Sequence, residues 1–246
     1  AHKNFLHFQT PFRNVDGRSL LNRMKLFRID KVICNSYFTK GFIDEEYGVE
    51  SIVIYPPVAV GKIKPHDKEN IILNVGRFSQ LQQAKKQDVL LTVFKKLFDG
   101  GYSDWKLILA GGTEVGVGNY VEKLKKAAQG YPVQILENQV FDEIKFRFGR
   151  AKIFRAATGF GADEKRNPQE VEHFGITLVE AMAGGAVPIA FSAGGHKEII
   201  AEDVNGFLWS EKKGLLEKTK TLISDQRLWK RVSLQSRRDC RVYEYE

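Results

Sequence analysis

The feature that most constrains the fold is a regular alternation of short apolar runs with longer amphipathic stretches, which begins at Asn70. The apolar runs predict strands, and the apolar spacing of the longer stretches predicts helices. Such alternation is typical of an α/β fold, a Rossmann-like parallel sheet with helices on both faces, which binds ligands at the carboxyl ends of its strands. The predicted strands are 70–75, 105–110, 133–136, 151–156 and 186–191, and the predicted helices are 86–98, 120–129, 142–150, 176–183, 195–201, 212–223 and one from 227 onward.

The first 60 residues predict a smaller unit that is not self-sufficient. Strands are expected at 5–8, 31–34 and 51–55, and helices at 19–27 and 36–47, the first of them because its apolar residues recur at helical spacing. Residues 58–69 are polar, rich in lysine and without periodicity, which predicts a linker. We therefore expect two domains, 1–60 and 61–246. Because the chain begins in patterned sequence, we also expect it to be part of a longer protein.

Composition limits the partners. The formal net charge is +8, which favours an anionic partner such as nucleic acid, an anionic membrane surface or a phosphate-bearing substrate. The basic residues are dispersed and not interleaved with aromatic ones, so nucleic acid is disfavoured. Cys34 and Cys240 have no metal-ligand spacing, which favours a reducing compartment. No run is long enough to span a membrane and no signal peptide opens the chain, so we expect a cytoplasmic protein.

The stretch from Glu172 to Gly185 carries two carboxylates without an obvious neighbouring cation, Glu172 and Glu180. Good helix formers begin at Ile176, and the preceding Gly175 allows a ligand to approach the backbone. The unpaired amides of a helix N-terminus would bind a phosphate at the backbone of residues 173–177, and Glu180 would accept hydrogen bonds from hydroxyl groups. A nucleotide sugar offers both groups. The alternative is that neither glutamate binds a ligand. Glu172 would then only complement the dipole of the helix, and Glu180 would lie on its solvated face.

A second candidate element follows the first strand of the larger unit, at Gly76-Arg77. An arginine at the carboxyl end of a strand overhangs the ligand crevice, and its guanidinium suits bidentate contact with phosphate. A solvated loop is the alternative. The phosphate-binding Gly-x-Gly-x-x-Gly and Gly-Lys-Ser/Thr patterns, His-Glu-x-x-His and Gly-x-Ser-x-Gly do not occur, which disfavours dehydrogenases, kinases, metalloproteases and esterases.

The segment that follows Glu180 completes an ordered pattern. The apolar run 187–191 leads into Ser192-Ala193-Gly194-Gly195, then Glu198-Ile199-Ile200 and Asn205-Gly206-Phe207. Together with Glu172-His173-Phe174-Gly175, this segment resembles the retaining GT-B glycosyltransferases, and its long Gly-Phe-Gly…Glu-His-Phe-Gly-Ile form is similar to the mannosyltransferase-like branch. The resemblance implies a donor domain at 61–246 and a truncated remnant of the acceptor-binding domain at 1–60.

The resemblance also assigns roles to residues. It implies that Arg77 and Lys85 hold the donor diphosphate, with Lys86 competing for the second role, that Glu172 assists at the anomeric carbon and that Glu180 binds the ribose. His7 would lie on the acceptor side, although a lone histidine is more often structural. At Arg155-Ala156 the chain departs from the family pattern, which has an aromatic residue followed by histidine. The implied donor-binding set is Gly76, Phe174, Gly175, Ile176, Thr177, Leu178 and Glu180.

The implied function is transfer of a mannose- or glucose-type hexose from GDP- or UDP-sugar to a glycan or lipid-linked acceptor, with retention of configuration, as in polysaccharide biosynthesis. The sequence has no Asp-x-Asp pair of the kind that holds a metal in other transferases, so we expect neither a metal nor a cofactor. A nucleotide-sugar-binding module that does not catalyse transfer on its own is the main alternative. A sugar-nucleotide epimerase, with the same two-lobed architecture, is a weaker one. The resemblance also implies peripheral contact with the cytoplasmic membrane face, which the net positive charge favours.

Overall fold

A computed structural model describes residues 3–113 and 118–245, and in this part of the chain it contains two separate parallel sheets. The smaller sheet has the order β1-β2-β3 and belongs to the N-terminal lobe. The larger one has the order β6-β5-β4-β7-β8-β9 and forms the second lobe. All paired strands run parallel. The α/β fold predicted from the alternating pattern is therefore confirmed.

The strands of the larger sheet agree with the predicted ones to within one residue at each end. The exception is a sixth strand, β9, which was not predicted because its three residues are too short to show a pattern. The larger sheet consists of β4 Glu69–Val75, β5 Lys106–Gly111, β6 Val133–Glu137, β7 Ala151–Ala156, β8 Val187–Phe191 and β9 Phe207–Trp209.

Helices cover both faces of the larger sheet and bury two apolar clusters. Successive residues of a strand point to opposite faces: Leu73 belongs to the cluster under α5 and α6, whereas its neighbour Ile72 belongs to the cluster under α3, α4 and α8. The helices are α3 Gln87–Asp99, α4 Gly118–Ala128, α5 Phe141–Arg150, α6 Ile176–Ala183, α7 His196–Ile199, α8 Lys212–Ser224 and α9 Gln226–Asp239.

The smaller lobe comprises β1 Phe5–Phe8, α1 Leu20–Leu26, β2 Lys31–Cys34, α2 Tyr37–Tyr47 and β3 Ile52–Val53. Its core is small, with Val32, Cys34 and Ile43 as the buried members. Of the apolar residues that predicted α1, only Leu26 packs against this core; Leu20 is 77% exposed, and Leu21 and Met24 are each 63% exposed. The helical spacing therefore predicted the helix correctly, but most of its apolar face is exposed to solvent.

The segment predicted as a linker packs against the larger lobe. Val58, Val60 and Ile63 are buried in the same cluster as α6, and the amide of Val58 donates to the carbonyl oxygen of Tyr243 at 2.9 Å. Burial of these three side chains attaches the segment to the larger lobe, and its sequence lacks the periodicity that would have predicted this. No helix in residues 3–113 and 118–245 combines the length and the apolar character that crossing a bilayer requires.

The strand order fixes where a ligand can bind. The chain builds β4, β5 and β6 in one direction, then returns to place β7 on the other side of β4. Loops that leave the carboxyl ends of β4 and β7 therefore diverge and leave a crevice between them, which is the usual ligand site of such sheets. The loop after β4 begins with Gly76 and Arg77, and the segment after β7 leads to Glu172.

Candidate functional site

A cavity of about 490 Å³ lies at this crevice, between the two lobes. The smaller lobe contributes His7, Gln9 and Asn35, among others, to its lining. Most of the residues predicted for the site line this one cavity, although Gly76 and Thr177 are far apart in the sequence. The predicted residues in the lining are Gly76, Arg77, Lys85, Glu172 and residues 174–177.

The end of β4 is fixed by a buried glutamine from the next helix. The side-chain amide of Gln87 donates to the carbonyl oxygens of Gly76 at 3.2 Å and of Arg77 at 3.0 Å. A Cβ atom on Gly76 would lie 2.8 Å from Cγ of Lys85, so the absence of a side chain lets Lys85 cross this backbone. Gly76 thus allows the two predicted cationic residues, Arg77 and Lys85, to line the same cavity.

Lys85 forms an ion pair with Glu172. Its Nζ lies 2.8 Å from Oε2 of the carboxylate, and the side chains are 16% and 15% exposed. Lys86, the competing candidate, lies at the N-cap of α3 and lines a different cavity with Phe160 and Glu170. No cation neighbours Glu172 in the sequence. The structure provides one, because the loop after β4 folds back towards the segment after β7.

The charge of Glu172 is stabilised by its surroundings. Burial alone would raise the pKa of this carboxyl, but the charge of Lys85, then that of His196, the hydrogen bond from Lys85 and the charge of His173 together hold it at about 2. Glu172 is therefore an anion at neutral pH. His196 had not been singled out from the sequence. It is 1% exposed, and its Nδ1 lies 2.9 Å from the carbonyl oxygen of Phe191.

The N-terminus of α6 faces the cavity. Gly175 precedes the helix with φ of 118°, a conformation that disfavours residues with a side chain, and no side chain caps the helix there. Within the described chain no acceptor is found for the amides of Ile176 and Thr177. Because the first amides of a helix are unpaired and carry partial positive charge, this end of α6 can bind an anion.

The diglycine pair at Gly194 and Gly195 allows α7 to press against the Glu172 backbone. A Cβ atom on Gly194, whose φ is 56°, would lie 2.1 Å from the carbonyl oxygen of Glu172. The amide of Gly195 donates to that same oxygen at 2.7 Å. The two glycines, which belong to the sequence pattern after Glu180, therefore serve packing, because they fix the backbone that carries Glu172.

Two predicted donor-binding residues do not line the cavity. Leu178 is 1% exposed in the core, and its amide donates to the carbonyl oxygen of Gly175 at 3.0 Å. Glu180 lies about one helical turn beyond Thr177, on the same side of α6. Burial raises the pKa of its carboxyl to about 7, and within the described residues neither a hydrogen bond nor an ion pair reaches that carboxylate.

The contact between the side chain of His173 and Gln9, both in the lining, was not predicted from the sequence. Nδ1 of His173 lies 3.1 Å from the carbonyl oxygen of Gln9 in the smaller lobe, and its Nε2 is buried without a partner in the described structure. No sequence pattern relates two residues 164 positions apart. His7, the predicted acceptor-side residue, does line the cavity. The described residues contain no group of three or more His, Cys, Asp or Glu that could hold a metal ion.

The arrangement offers two kinds of contact in one cavity. Arg77, Lys85 and the free amides at the start of α6 supply positive charge and hydrogen-bond donors. The ionised Glu172 supplies an acceptor beside them. A ligand with a phosphate group next to hydroxyl groups would satisfy both kinds of contact.

Comparison with known proteins agrees with this geometry. The family model described as "Glycosyl transferases group 1" matches residues 59–240. The "Uncharacterized glycosyltransferase MJ1178" of Methanocaldococcus jannaschii is 29% identical over 220 residues, which cover 88% of this chain and 56% of that protein. The Xenopus laevis GDP-Man:Man(3)GlcNAc(2)-PP-Dol alpha-1,2-mannosyltransferase is 30% identical over 196 residues, which cover 73% of this chain and 38% of that protein. The chain thus spans about half or less of the length of these relatives.

A solved structure shows the same fold. The Anabaena protein Alr3699/HepE, crystallised with UDP and glucose, superposes with a TM-score of 0.80 at 19% identity, over 98% of this chain and 67% of that one. The superposition includes both lobes. The epimerase alternative has no support from the family model, which matches more than half of the chain and describes transferases. On the family match, the fold and the relatives, this chain belongs to the group 1 glycosyl transferases.

Proposed function

We propose that this chain contains the donor-binding lobe of a retaining hexosyltransferase and part of its acceptor lobe. The donor would be GDP-mannose or a UDP-sugar, and the acceptor a glycan or a lipid-linked saccharide. The observation that carries the proposal is the convergence of Arg77, Lys85, Glu172 and the N-terminus of α6 on one cavity.

The charges in the cavity suit a leaving diphosphate. Cleavage of a sugar–phosphate bond releases an anion, and preorganised donors that face the developing charge lower the barrier. An ammonium group has three N–H donors, so Lys85 can contact a phosphate oxygen while it stays paired with Glu172. Arg77 and the amides of Ile176 and Thr177 would complete the set. These groups would replace a metal ion, so the proposed reaction is metal-independent.

The proposed step is a front-face substitution. The oxygen of an acceptor hydroxyl forms a bond to the anomeric carbon, the bond from that carbon to the diphosphate oxygen breaks, and the hydroxyl proton moves to the leaving phosphate. Attack from the face that the diphosphate leaves retains the configuration. Glu172, ionised at neutral pH, would stabilise positive charge that develops on the sugar ring.

Glu180 suits a ribose. A buried carboxyl with a pKa near 7 and no described partner would gain hydrogen bonds from two vicinal hydroxyls, and those bonds would favour its ionised form. Guanine and uracil are the two bases we propose, because one relative is named for GDP-mannose and the Anabaena structure contains UDP.

A second candidate function is a nucleotide-sugar-binding module without transfer activity of its own. It is compatible with the match to the two relatives, which covers 56% and 38% of their length. A cytoplasmic location, peripheral contact with a membrane and the absence of nucleic-acid binding stay predictions.

One experiment separates the two candidates. The chain is titrated with UDP and GDP by calorimetry, and the nucleotide that binds is then supplied as its mannose or glucose derivative. A transferase hydrolyses that sugar nucleotide slowly in the absence of acceptor, with release of the α-anomer first by proton NMR. Binding without release of nucleotide supports the module, and no binding of either nucleotide contradicts both.

A further inference from the structure

The two lobes are joined by a carboxylate that reaches from one to the other. Glu198 lies in α7 of the larger lobe, and its Oε2 accepts a hydrogen bond from the amide of Tyr37 at 2.9 Å. Its Oε1 accepts a second one from the amide of Phe38. These are the first two amides of α2, so Glu198 caps a helix of the smaller lobe. The side chain of Ser36 caps the same helix at the amide of Thr39, 3.0 Å away.

The capping residue is tied to the candidate catalytic carboxylate. α7 begins directly after Gly195, whose amide donates to the carbonyl oxygen of Glu172 at 2.7 Å. The close approach of Gly194 to that same oxygen leaves the two segments little room to shift relative to each other. A displacement of Glu198 is therefore transmitted to the backbone of Glu172 through a few short contacts.

A second series of contacts leads from the start of α2 in the smaller lobe back to Glu172. Asn35, which immediately precedes the cap of α2, donates from Nδ2 to the carbonyl oxygen of Gln9 at 3.0 Å. Nδ1 of His173, the residue after Glu172, lies 3.1 Å from that same oxygen. The contacts thus form a closed ring that runs from Glu172 through α7 and α2 to Gln9 and back. Asn35, Gln9 and His173 all line the cavity.

We propose that Glu198 is a positioning residue that holds the smaller lobe closed over the donor cavity by capping α2. This inference rests on the proposed function for its consequence in turnover, but not for the lobe contact itself. A carboxylate suits the role because it accepts from two adjacent amides and complements the positive end of the helix dipole. A reacting group displaced by about 1 Å can lose about 100-fold in rate, so loss of the cap would slow the reaction while nucleotide contacts within the larger lobe stay intact.

The test measures the distance between the lobes. Spin labels are attached to cysteines introduced by G41C in α2 and G214C in α8, where a Cβ atom meets nothing within 4 Å. The two native cysteines are buried and stay in every variant. Double electron–electron resonance should give one narrow distance distribution for the labelled chain. In E198A it should become broader and extend to longer distances, with a smaller effect in E198Q, which keeps one acceptor but loses the charge.

A second variant pair tests the contact from the smaller lobe. Tyr37 is the first residue of α2, a position at which proline fits a helix, and Y37P removes only the amide proton and the ring. Y37A removes the ring and keeps the amide. The labels should therefore separate in Y37P and not in Y37A. E50Q, at an exposed glutamate of the smaller lobe, is the control for loss of one negative charge.

Kinetics and binding complete the test. With the sugar nucleotide that the chain hydrolyses, kcat should fall at least about tenfold in E198A and Y37P, whereas the calorimetric Kd for the nucleoside diphosphate should change less than about threefold. Distance distributions of E198A and Y37P that match the native one overturn the proposal, as does a loss of nucleotide affinity equal to the loss of kcat. If the native chain binds no nucleotide, the proposed function fails, and the label distances alone still decide the lobe contact. Circular dichroism identifies any variant that does not fold, and the remaining variants then carry the test.

Discussion

Nζ of Lys85 lies 2.8 Å from Oε2 of Glu172, although 87 positions separate the two residues in the chain. The pair joins the loop after β4 to the segment after β7 at the point where the strand order reverses. It brings a cation and an anion to the wall of one cavity. The stability of the chain and its chemistry therefore depend on the same contact, which gives predictions for both.

Removal of the cation should destabilise the fold. K85M leaves the carboxylate of Glu172 largely buried without its ion-pair partner, so the free energy of unfolding in urea should fall by about 1–3 kcal/mol. The double variant K85M/E172Q also lacks the buried negative charge of Glu172, so it should recover part of the lost free energy of unfolding. K125M, which removes a lysine from exposed pairs, should have almost no effect. Costs of K85M and E172Q that simply add would contradict the coupling.

Acid should weaken the fold through Glu172. Its pKa in the folded chain is about 2, below the ordinary value of about 4.3 that it has when unfolded. The carboxylate therefore stabilises the fold above about pH 4.3, and this contribution, up to about 3 kcal/mol, is lost as the pH falls towards 2. Urea unfolding of the native chain and E172Q between pH 6 and pH 2 measures it. The two stability curves should converge in acid, and parallel curves would disagree with the depressed pKa.

Glu180 should have the opposite effect. Burial raises its pKa to about 7 in the folded chain, so the unfolded chain releases this proton at lower pH, and stability falls as the pH rises from about 4.5 to 7. E180Q removes the free-energy cost of ionising a buried carboxyl, so at pH 8 it should be more stable than the native chain by about 1–3 kcal/mol. On the proposed function it should also bind the nucleotide about tenfold more weakly, because the ribose loses its acceptor. If E180Q changes neither the stability at pH 8 nor the affinity for the nucleotide, Glu180 neither destabilises the fold nor binds the ribose.

The backbone at Gly175 should tolerate no side chain. G175A imposes a Cβ atom at φ of 118°, which costs about 1–3 kcal/mol or shifts the first amides of α6. Nucleoside diphosphate affinity should therefore fall together with the melting temperature. G214A, at a helical glycine with open space around it, is the matched control and should be neutral or slightly stabilising. Unchanged affinity in G175A would indicate that these amides do not contact the phosphate.

The sequence predicted most of the larger lobe because its elements have clear periodicity. β7 and α6 were predicted with the bounds that the structure gives them. The short β9 was missed, and three apolar residues of the expected linker joined the core. In each case the missing information was a tertiary contact, because neither a three-residue strand nor an aperiodic segment has a local pattern.

The sequence predicted which residues form the candidate site better than it predicted how those residues contact one another. Glycine and charge patterns indicated Arg77, Lys85 and Glu172, which line one cavity. They did not reveal that Lys85 pairs with Glu172, that His173 contacts Gln9 or that Glu198 caps α2. Each of these contacts joins segments distant in sequence. The buried Arg155, where the family pattern has an aromatic residue followed by histidine, donates to the hydroxyl of Thr219 at 2.6 Å, so this departure lies in the core and outside the cavity.

The central claim is that Arg77, Lys85, Glu172 and the start of α6 bind one nucleoside diphosphate. Calorimetry of the native chain, R77M and R227M with UDP and GDP, in excess EDTA, tests it most directly. We predict that one of the two nucleotides binds at one site per chain without metal, that R77M weakens it by about 10- to 150-fold, the loss expected for charge-assisted hydrogen bonds to phosphate, and that the exposed R227M leaves it unchanged. Absence of binding by both nucleotides, or equal affinity in the native chain and R77M, would contradict the account.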